Sequence, residues 1–322
     1  MAFLPDGRLL VTEKAGRLLV VDESGNTSEP VSGVPAVDYG GQGGMGDVAL
    51  HPDYARNGLV YLSYAEAGPA NTRGAAVARG KLEIGERSSS LSDIEVVWRQ
   101  YPKVLGRGHY GHRIVFDNAG FLWISYGDRQ KFTPAQDMQS TIGKIVRLND
   151  DGSIPADNPF VDYRSVDPLV DNEAVYGEIW SLGHRNPLGL AIDPEGRLWE
   201  IEMGPAHGDE LNLIRRGANY GYPEVSNGDH YDGREIPDHD TRPEFDAPIT
   251  DEASRRRDFY RGQQARSEAM QGFSGEYLEF LRSCNCDLAQ GYLISRPMQP
   301  EKVSAILRSE IAGTRLLARG MP

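Results

Sequence analysis

The sequence predicts an all-β chain of β-propeller blades, incomplete, with a short α/β tail at its C-terminus. Three observations predict it. One pattern recurs four times before residue 250: an apolar pair, a turn with Asp, Asn or Gly, then alternating apolar residues. Three of the four copies are followed by a further short strand pattern. Strand signals stop near Asp251, where helical spacing takes over. Repeated antiparallel units of this kind are blade-like, because each buries its faces only against its neighbours. A β-sandwich with coincidental hairpins is the competing architecture.

The first copy is Ala2-Phe-Leu-Pro-Asp-Gly-Arg-Leu-Leu-Val11. The second runs from Ala49-Leu-His-Pro-Asp-Tyr to Gly58-Leu-Val-Tyr-Leu62. The third is Val115-Phe-Asp-Asn-Ala-Gly-Phe-Leu-Trp-Ile124, and the fourth is Ala191-Ile-Asp-Pro-Glu-Gly-Arg-Leu-Trp-Glu200. Gly7, Gly58, Gly120 and Gly196 mark equivalent turns, so each copy reads as a β-hairpin. The follow-on strands are Gly16-Arg-Leu-Leu-Val-Val21, Gly143-Lys-Ile-Val-Arg-Leu148 and Glu210-Leu-Asn-Leu-Ile214. Beyond 250, Glu276-Tyr-Leu-Glu-Phe-Leu-Arg282 and the stretch from Pro300 to Ile311 carry apolar residues at helical spacing. The division predicted is 1–250 as partial propeller, 251–274 as junction and 275–322 as tail.

Composition excludes several classes. Thirty-seven glycines and 20 prolines occur without period, so collagen is out. A 39% apolar share supports a packed core. No run of 18 apolar residues exists, so no membrane insertion is expected. A net charge of −13 with no basic stripe argues against nucleic acid. Cys284 and Cys286 would close too small a loop to staple a fold, and read as free thiols. The N-terminus carries no signal peptide and opens inside a strand motif, which predicts a chain cut at its start.

Three segments are too polar and glycine-rich to be mere core. Gly40-Gly-Gln-Gly-Gly-Met-Gly-Asp47 reads either as a loop that lets a ligand approach the backbone or as a flexible turn. Gly106-Arg-Gly-His-Tyr-Gly-His-Arg113 places His109 and His112 on a connection before a strand, as a general base or as solvated loop residues. Glu178-Ile-Trp-Ser-Leu-Gly-His-Arg-Asn-Pro187 offers Arg185 and Asn186 to a carboxylate-bearing ligand. One hairpin later, Glu202-Met-Gly-Pro-Ala-His-Gly-Asp-Glu-Leu-Asn212 is an oxygen-rich loop that suits calcium or a solvated turn.

Together and in this order, these segments resemble the soluble PQQ-dependent aldose sugar dehydrogenases of the glucose/sorbosone dehydrogenase family. The resemblance covers roughly residues 1–250 and implies a six-bladed β-propeller, usually exported to the periplasm. It implies PQQ and calcium as cofactors and oxidation of aldoses at C1, with electrons passing to an artificial or respiratory acceptor. By motif, Gln42 is similar to a quinone-contacting amide, and His109 to the base that takes the sugar hydroxyl proton. Arg185 is similar to the arginine that stabilises charge on the quinone oxygen, and Asn186 to its neighbouring cofactor contact. The carbonyls of Gly204 and Pro205 resemble ligands of the catalytic calcium. Glu210 and Tyr220 resemble ligands of a second, structural calcium. A propeller that only binds a ligand or partner, and a calcium-dependent sugar lactonase, are the alternatives.

The lysine and arginines that the family's later blades place around the quinone have no counterpart after Thr250. Weak or absent aldose oxidation is therefore expected of this chain, as is association through an open blade edge. Leu278-Glu-Phe-Leu and the run from Cys286 to Met298 resemble the end of an EAL domain, with Gln290 at that family's active-site glutamine. Its metal-binding motifs are absent, so no phosphodiesterase activity is implied.

Overall fold

In the computed structural model, residues 1–85, 88–162 and 177–251 are described. They form four antiparallel sheets. The first holds β1 (Ala2–Phe3), β2 (Leu9–Glu13) and β3 (Arg17–Val21). The second holds β4 (Met45–Leu50), β5 (Leu59–Ala67), β6 (Arg73–Ile84) and β7 (Ser89–Arg99). The third holds β8 (Arg113–Phe116), β9 (Leu122–Tyr126), β10 (Lys144–Leu148) and β11 (Ile179–Leu182). The fourth holds β12 (Pro187–Ile192), β13 (Leu198–Glu202), β14 (Glu210–Ile214) and β15 (Thr250–Asp251). In each sheet, strands pair in chain order as a meander. The EAL-like segment, both cysteines and the tail helices lie outside the described residues.

All four repeats are hairpins: β1–β2, β4–β5, β8–β9 and β12–β13. The four marker glycines sit at their turns with φ between +67° and +88°, a region where a Cβ is strained. The turn aspartate explains the rest of the pattern. Asp117 accepts the backbone N–H of Ala119 and of Phe121, and the indole N–H of Trp123 at 2.8 Å. Asp193 repeats the arrangement with the N–H of Arg197 and the indole of Trp199, each at 2.8 Å. The Asp-x-x-Gly-x-Leu-Trp spacing thus closes the turn and pins the first large ring of the return strand. Asp117→Ala removes three bonds at once and is expected to cost about 2 kcal/mol. Urea unfolding measures it, and an unchanged midpoint would show that the turn closes without the carboxylate.

Strand alternation places the cores between sheets. On β5, Val60 and Leu62 point to a layer shared with Leu10 and Leu18 of the first sheet. Tyr61 and Ala65 point the other way, to a layer with Leu122, Ile124 and Tyr126 of the third. On β10, Val146 and Leu148 join that second layer, whereas Ile145 packs with Trp123, Leu198 and Ile214 against the fourth sheet. The two middle sheets are therefore buried on both faces, as stacked blades are. The second sheet differs from the sequence reading. Its hairpin continues into two long strands, β6 and β7, whose short and charged side chains hid the alternation.

Candidate active site

The glycine run before β4 packs on the segment before β8. A Cβ on Gly41 would stand 2.6 Å from Arg107 Cβ, one on Gly43 2.8 Å from the Tyr110 ring, and one on Gly46 2.5 Å from His112 Cβ. These glycines thus make room for the neighbouring loop, a use the sequence reading did not assign. Gln42 itself is exposed. Its Oε1 accepts the backbone N–H of His109 at 2.6 Å.

His109 is buried, with φ +46°. Its Nδ1 lies 2.6 Å from Asp128 Oδ1. Asp128 stands on the connection after β9, has no exposed surface, and also accepts the N–H of Gln130 and of Phe132. Neighbouring Arg129 and Gln130 have positive φ as well, so strained backbone clusters here, as it does at functional sites. A carboxylate on Nδ1 selects the tautomer that leaves Nε2 unprotonated and able to take a proton.

His112 is placed differently. Its ring stacks on Tyr110 with centroids 5.0 Å apart and meets the edge of Tyr126. Neither ring nitrogen has a partner among the described residues, and burial, helped by Arg129, pushes its pKa down to about 3. It is a neutral member of an aromatic stack.

Arg185 and Asn186 join His109 through the backbone. The Asp128 N–H donates to Arg185 O at 2.7 Å, and the Gly111 N–H donates to Asn186 Oδ1 at 3.3 Å. A Cβ on Gly127 would meet His109 O and Asn186 Oδ1, so this glycine permits the close approach. The Arg185 guanidinium donates to the carbonyls of Met203 and Gly204, at 2.7 and 2.6 Å, and pairs with no carboxylate within 4 Å among the described residues. The rings of Tyr222 and Tyr231 flank it at 5.9 and 5.7 Å.

The loop of Gly204 and Pro205 folds back on itself. Pro205 O accepts the Gly208 N–H, and the Gly204 N–H donates to Asp209 Oδ1. Glu210 is buried on β14, opposite Glu202. Burial pushes Glu202 up to about 8, against the pull of Arg185. The Tyr220 hydroxyl donates to Leu213 O and accepts the Arg215 N–H, so the oxygen it could offer a cation is its carbonyl, which faces His239 Nε2 at 3.1 Å.

Gln42, His109, Arg185 and Gly204 are thus linked by direct hydrogen bonds or through Asp128, and Asn186 meets the same loop at the N–H of Gly111. Sequence reasoning missed Asp128 and Arg129. Gly-Asp-Arg after a strand is a weak signal, and only the contact with His109 identifies it.

Comparison with known proteins bears on this site. The family profile described as Glucose / Sorbosone dehydrogenase matches residues 1–255. Aldose sugar dehydrogenase YliI of Escherichia coli is 41% identical over 240 residues, 74% of this chain and 62% of that protein. The chain therefore spans under two thirds of that relative. The apo crystal structure of the soluble aldose sugar dehydrogenase from Escherichia coli superposes with a TM-score of 0.69 at 39% identity, over 77% of this chain and 70% of that one. The PQQ-bound aldose sugar dehydrogenase of Streptomyces coelicolor superposes with a TM-score of 0.61 at 31% identity, over 77% and 65%. With a profile matching most of its length and these relatives sharing its sheets, the chain belongs to the glucose/sorbosone dehydrogenase family.

Proposed function

We propose that this chain carries the site of a PQQ-dependent aldose dehydrogenase, oxidising the sugar at C1 to the lactone. One observation carries the reading. His109, oriented by buried Asp128, shares a site with three donors that no carboxylate among the described residues neutralises: the Arg185 guanidinium and two amide nitrogens. Gln42 and Asn186 each use the amide oxygen to accept a backbone N–H, which leaves their nitrogens without an acceptor among the described residues. Such donors beside an unpaired arginine and two tyrosine rings fit a flat, anionic quinone. The carbonyls of Gly204 and Pro205 each accept one hydrogen bond and keep a second lone pair, which fits calcium. Glu210 and the Tyr220 carbonyl are assigned to a second calcium by resemblance.

Bound PQQ would supply the hydride acceptor, and calcium the Lewis acidity. The chain's own part is as follows. Asp128 holds the Nδ1 proton and the ring plane of His109. His109 Nε2 removes the proton of the C1 hydroxyl as the C1 hydrogen departs. Arg185 opposes negative charge that develops on the acceptor, without reorganising to do so. Gln42 fixes the His109 backbone while offering its amide nitrogen to the cofactor. Export to the periplasm and a respiratory electron acceptor complete the proposal.

The test is aldose-dependent reduction of a dye by the purified chain with PQQ and calcium. Slow turnover that needs both additions is the expected result. Saturable PQQ binding with no turnover on any aldose, both in the chain and in a chimera continued with the C-terminal part of the Escherichia coli relative, would leave a ligand-binding propeller instead.

A further inference from the structure

Glu200 and Glu202 stand two residues apart on β13, with Asn212 and Glu210 opposite them on β14. All four therefore share one sheet face. The same face carries Leu198 and Ile214, which pack on Trp123 and Ile145 of the third sheet. An apolar layer is thus interrupted by carboxylates. His184, on the connection between β11 and β12, closes the interruption from the other side. One ring nitrogen of His184 and one oxygen each of Glu200 and Glu202 lie within 4.8 Å of one another. The relative exposures of the three are 0%, 0% and 3%.

Arg185 pulls on Glu202 from a distance, and the described residues provide no cation in direct contact with the two carboxylates. Lys144, buried nearby, donates to the carbonyls of Pro134, Ala135 and Ile142. Arg185 is held by the carbonyls of Met203 and Gly204. Among the described residues neither Glu200 nor Glu202 pairs with a lysine or arginine. Two oxygens here, Glu200 Oε1 and Asn212 Oδ1, are enclosed without a hydrogen-bond partner among the described residues. Buried acceptors in that state are costly, and a cation satisfies several at once.

We propose that a divalent cation of the zinc class binds here, ligated by His184, Glu200 and Glu202. An imidazole with two carboxylates suits a borderline metal better than calcium or magnesium, which prefer all-oxygen shells. His184 Nδ1 and Glu202 Oε2 are 3.2 Å apart. That is close to the separation of two ligand atoms around a tetrahedral zinc with bonds of about 2.0 Å. With a cation on Nδ1, His184 Nε2 carries the ring proton and donates it to Ser181 Oγ, 2.9 Å away, which fixes the ring. Asn212 Nδ2 donates to Glu200 Oε2 at 3.0 Å and orients that carboxylate. The ion would bridge β13 to the third sheet, one residue before the Met203 and Gly204 carbonyls that hold Arg185.

The experiment needs no quinone, so its outcome is independent of the dehydrogenase reading. The full chain, stripped with chelator and saturated with calcium, is titrated with zinc alone against a chromophoric competitor. One zinc per chain is expected, with thermal stabilisation, and at least a 30-fold loss of affinity in Glu200→Gln. Cobalt loading of the unaltered chain provides a readout without mutation: the intense visible bands of four-coordinate cobalt are expected. No stoichiometric zinc uptake, or equal uptake by a folded Glu200→Gln, overturns the proposal and leaves the carboxyls neutralised by protons.

Discussion

Turnover falls by about 10² to 10⁴ in His109→Ala, while affinity for PQQ changes little. The size follows from the loss of the proposed base, and the selectivity from the proposed cofactor contacts, since Gln42, Arg185 and Asn186 are untouched. Asp128→Asn is the companion measurement. An amide can offer its NH₂ to Nδ1, which selects the opposite tautomer and leaves Nε2 protonated. The ring is then in place but in the wrong state, so kcat falls with little change in KM. A single-turnover assay separates the two parameters. It is run on the chain itself, or on a chimera continued with the C-terminal part of the Escherichia coli relative. Full activity in His109→Ala, with the loss appearing in His112→Ala, would assign the base to the other histidine. The surroundings of His112 oppose that outcome: its ring is stacked, unpartnered and held neutral by burial.

Arg129→Met destabilises the chain by about 3 kcal/mol and slows turnover without altering its pH profile. Arg129 has no exposed surface and, among the described residues, no carboxylate within ion-pair distance; its donors meet the carbonyls of Gly108, Gly106 and Arg73 at 2.8, 2.7 and 3.1 Å. Its guanidinium carbon also lies 3.6 Å from the centroid of the Tyr110 ring. Burial lowers its pKa, yet an arginine remains charged. Removing it leaves the buried Gly108 carbonyl beside His109 without this donor and takes one bond each from the carbonyls of Gly106 and Arg73, the latter still accepting the Val104 N–H. Part of that cost is returned, because a lone charge no longer has to be desolvated. Denaturant unfolding gives the stability and steady-state kinetics the turnover. Unchanged stability would show that water replaces the guanidinium without penalty.

The hairpins were legible because their causes are local. A turn aspartate that caps its own loop, a glycine at positive φ and an indole two residues beyond that glycine's neighbour are all set within seven residues. β6 and β7 were not legible. Ala75, Ala76, Val77 and Ala78 are all buried, so the strand shows no alternation, and β7 pairs with β6 across two register shifts. Such strands are specified by what covers both faces, which lies elsewhere in the chain. Likewise, the glycines from 40 to 46 pointed to some close approach, and only the fold shows that Arg107, Tyr110 and His112 are what approaches.

The chain by itself determined the repeat, the hairpin turns, and the residue types of the candidate site: His109, Gln42, Arg185, Asn186 and the Gly204–Pro205 loop. Local spacing and composition suffice for these, since a motif carries its own chemistry. Only the tertiary structure decided which histidine meets a carboxylate. His109 and His112 share one loop and three residues of separation, yet one turns to Asp128 and the other into the stack of Tyr110 and Tyr126. Only the tertiary structure likewise brought His184 to Glu200 and Glu202, and aimed Arg129 at three carbonyls. The physical reason is the same in each case. Partners 16 to 56 residues apart are chosen by the packing of whole sheets, and no local preference encodes that distance.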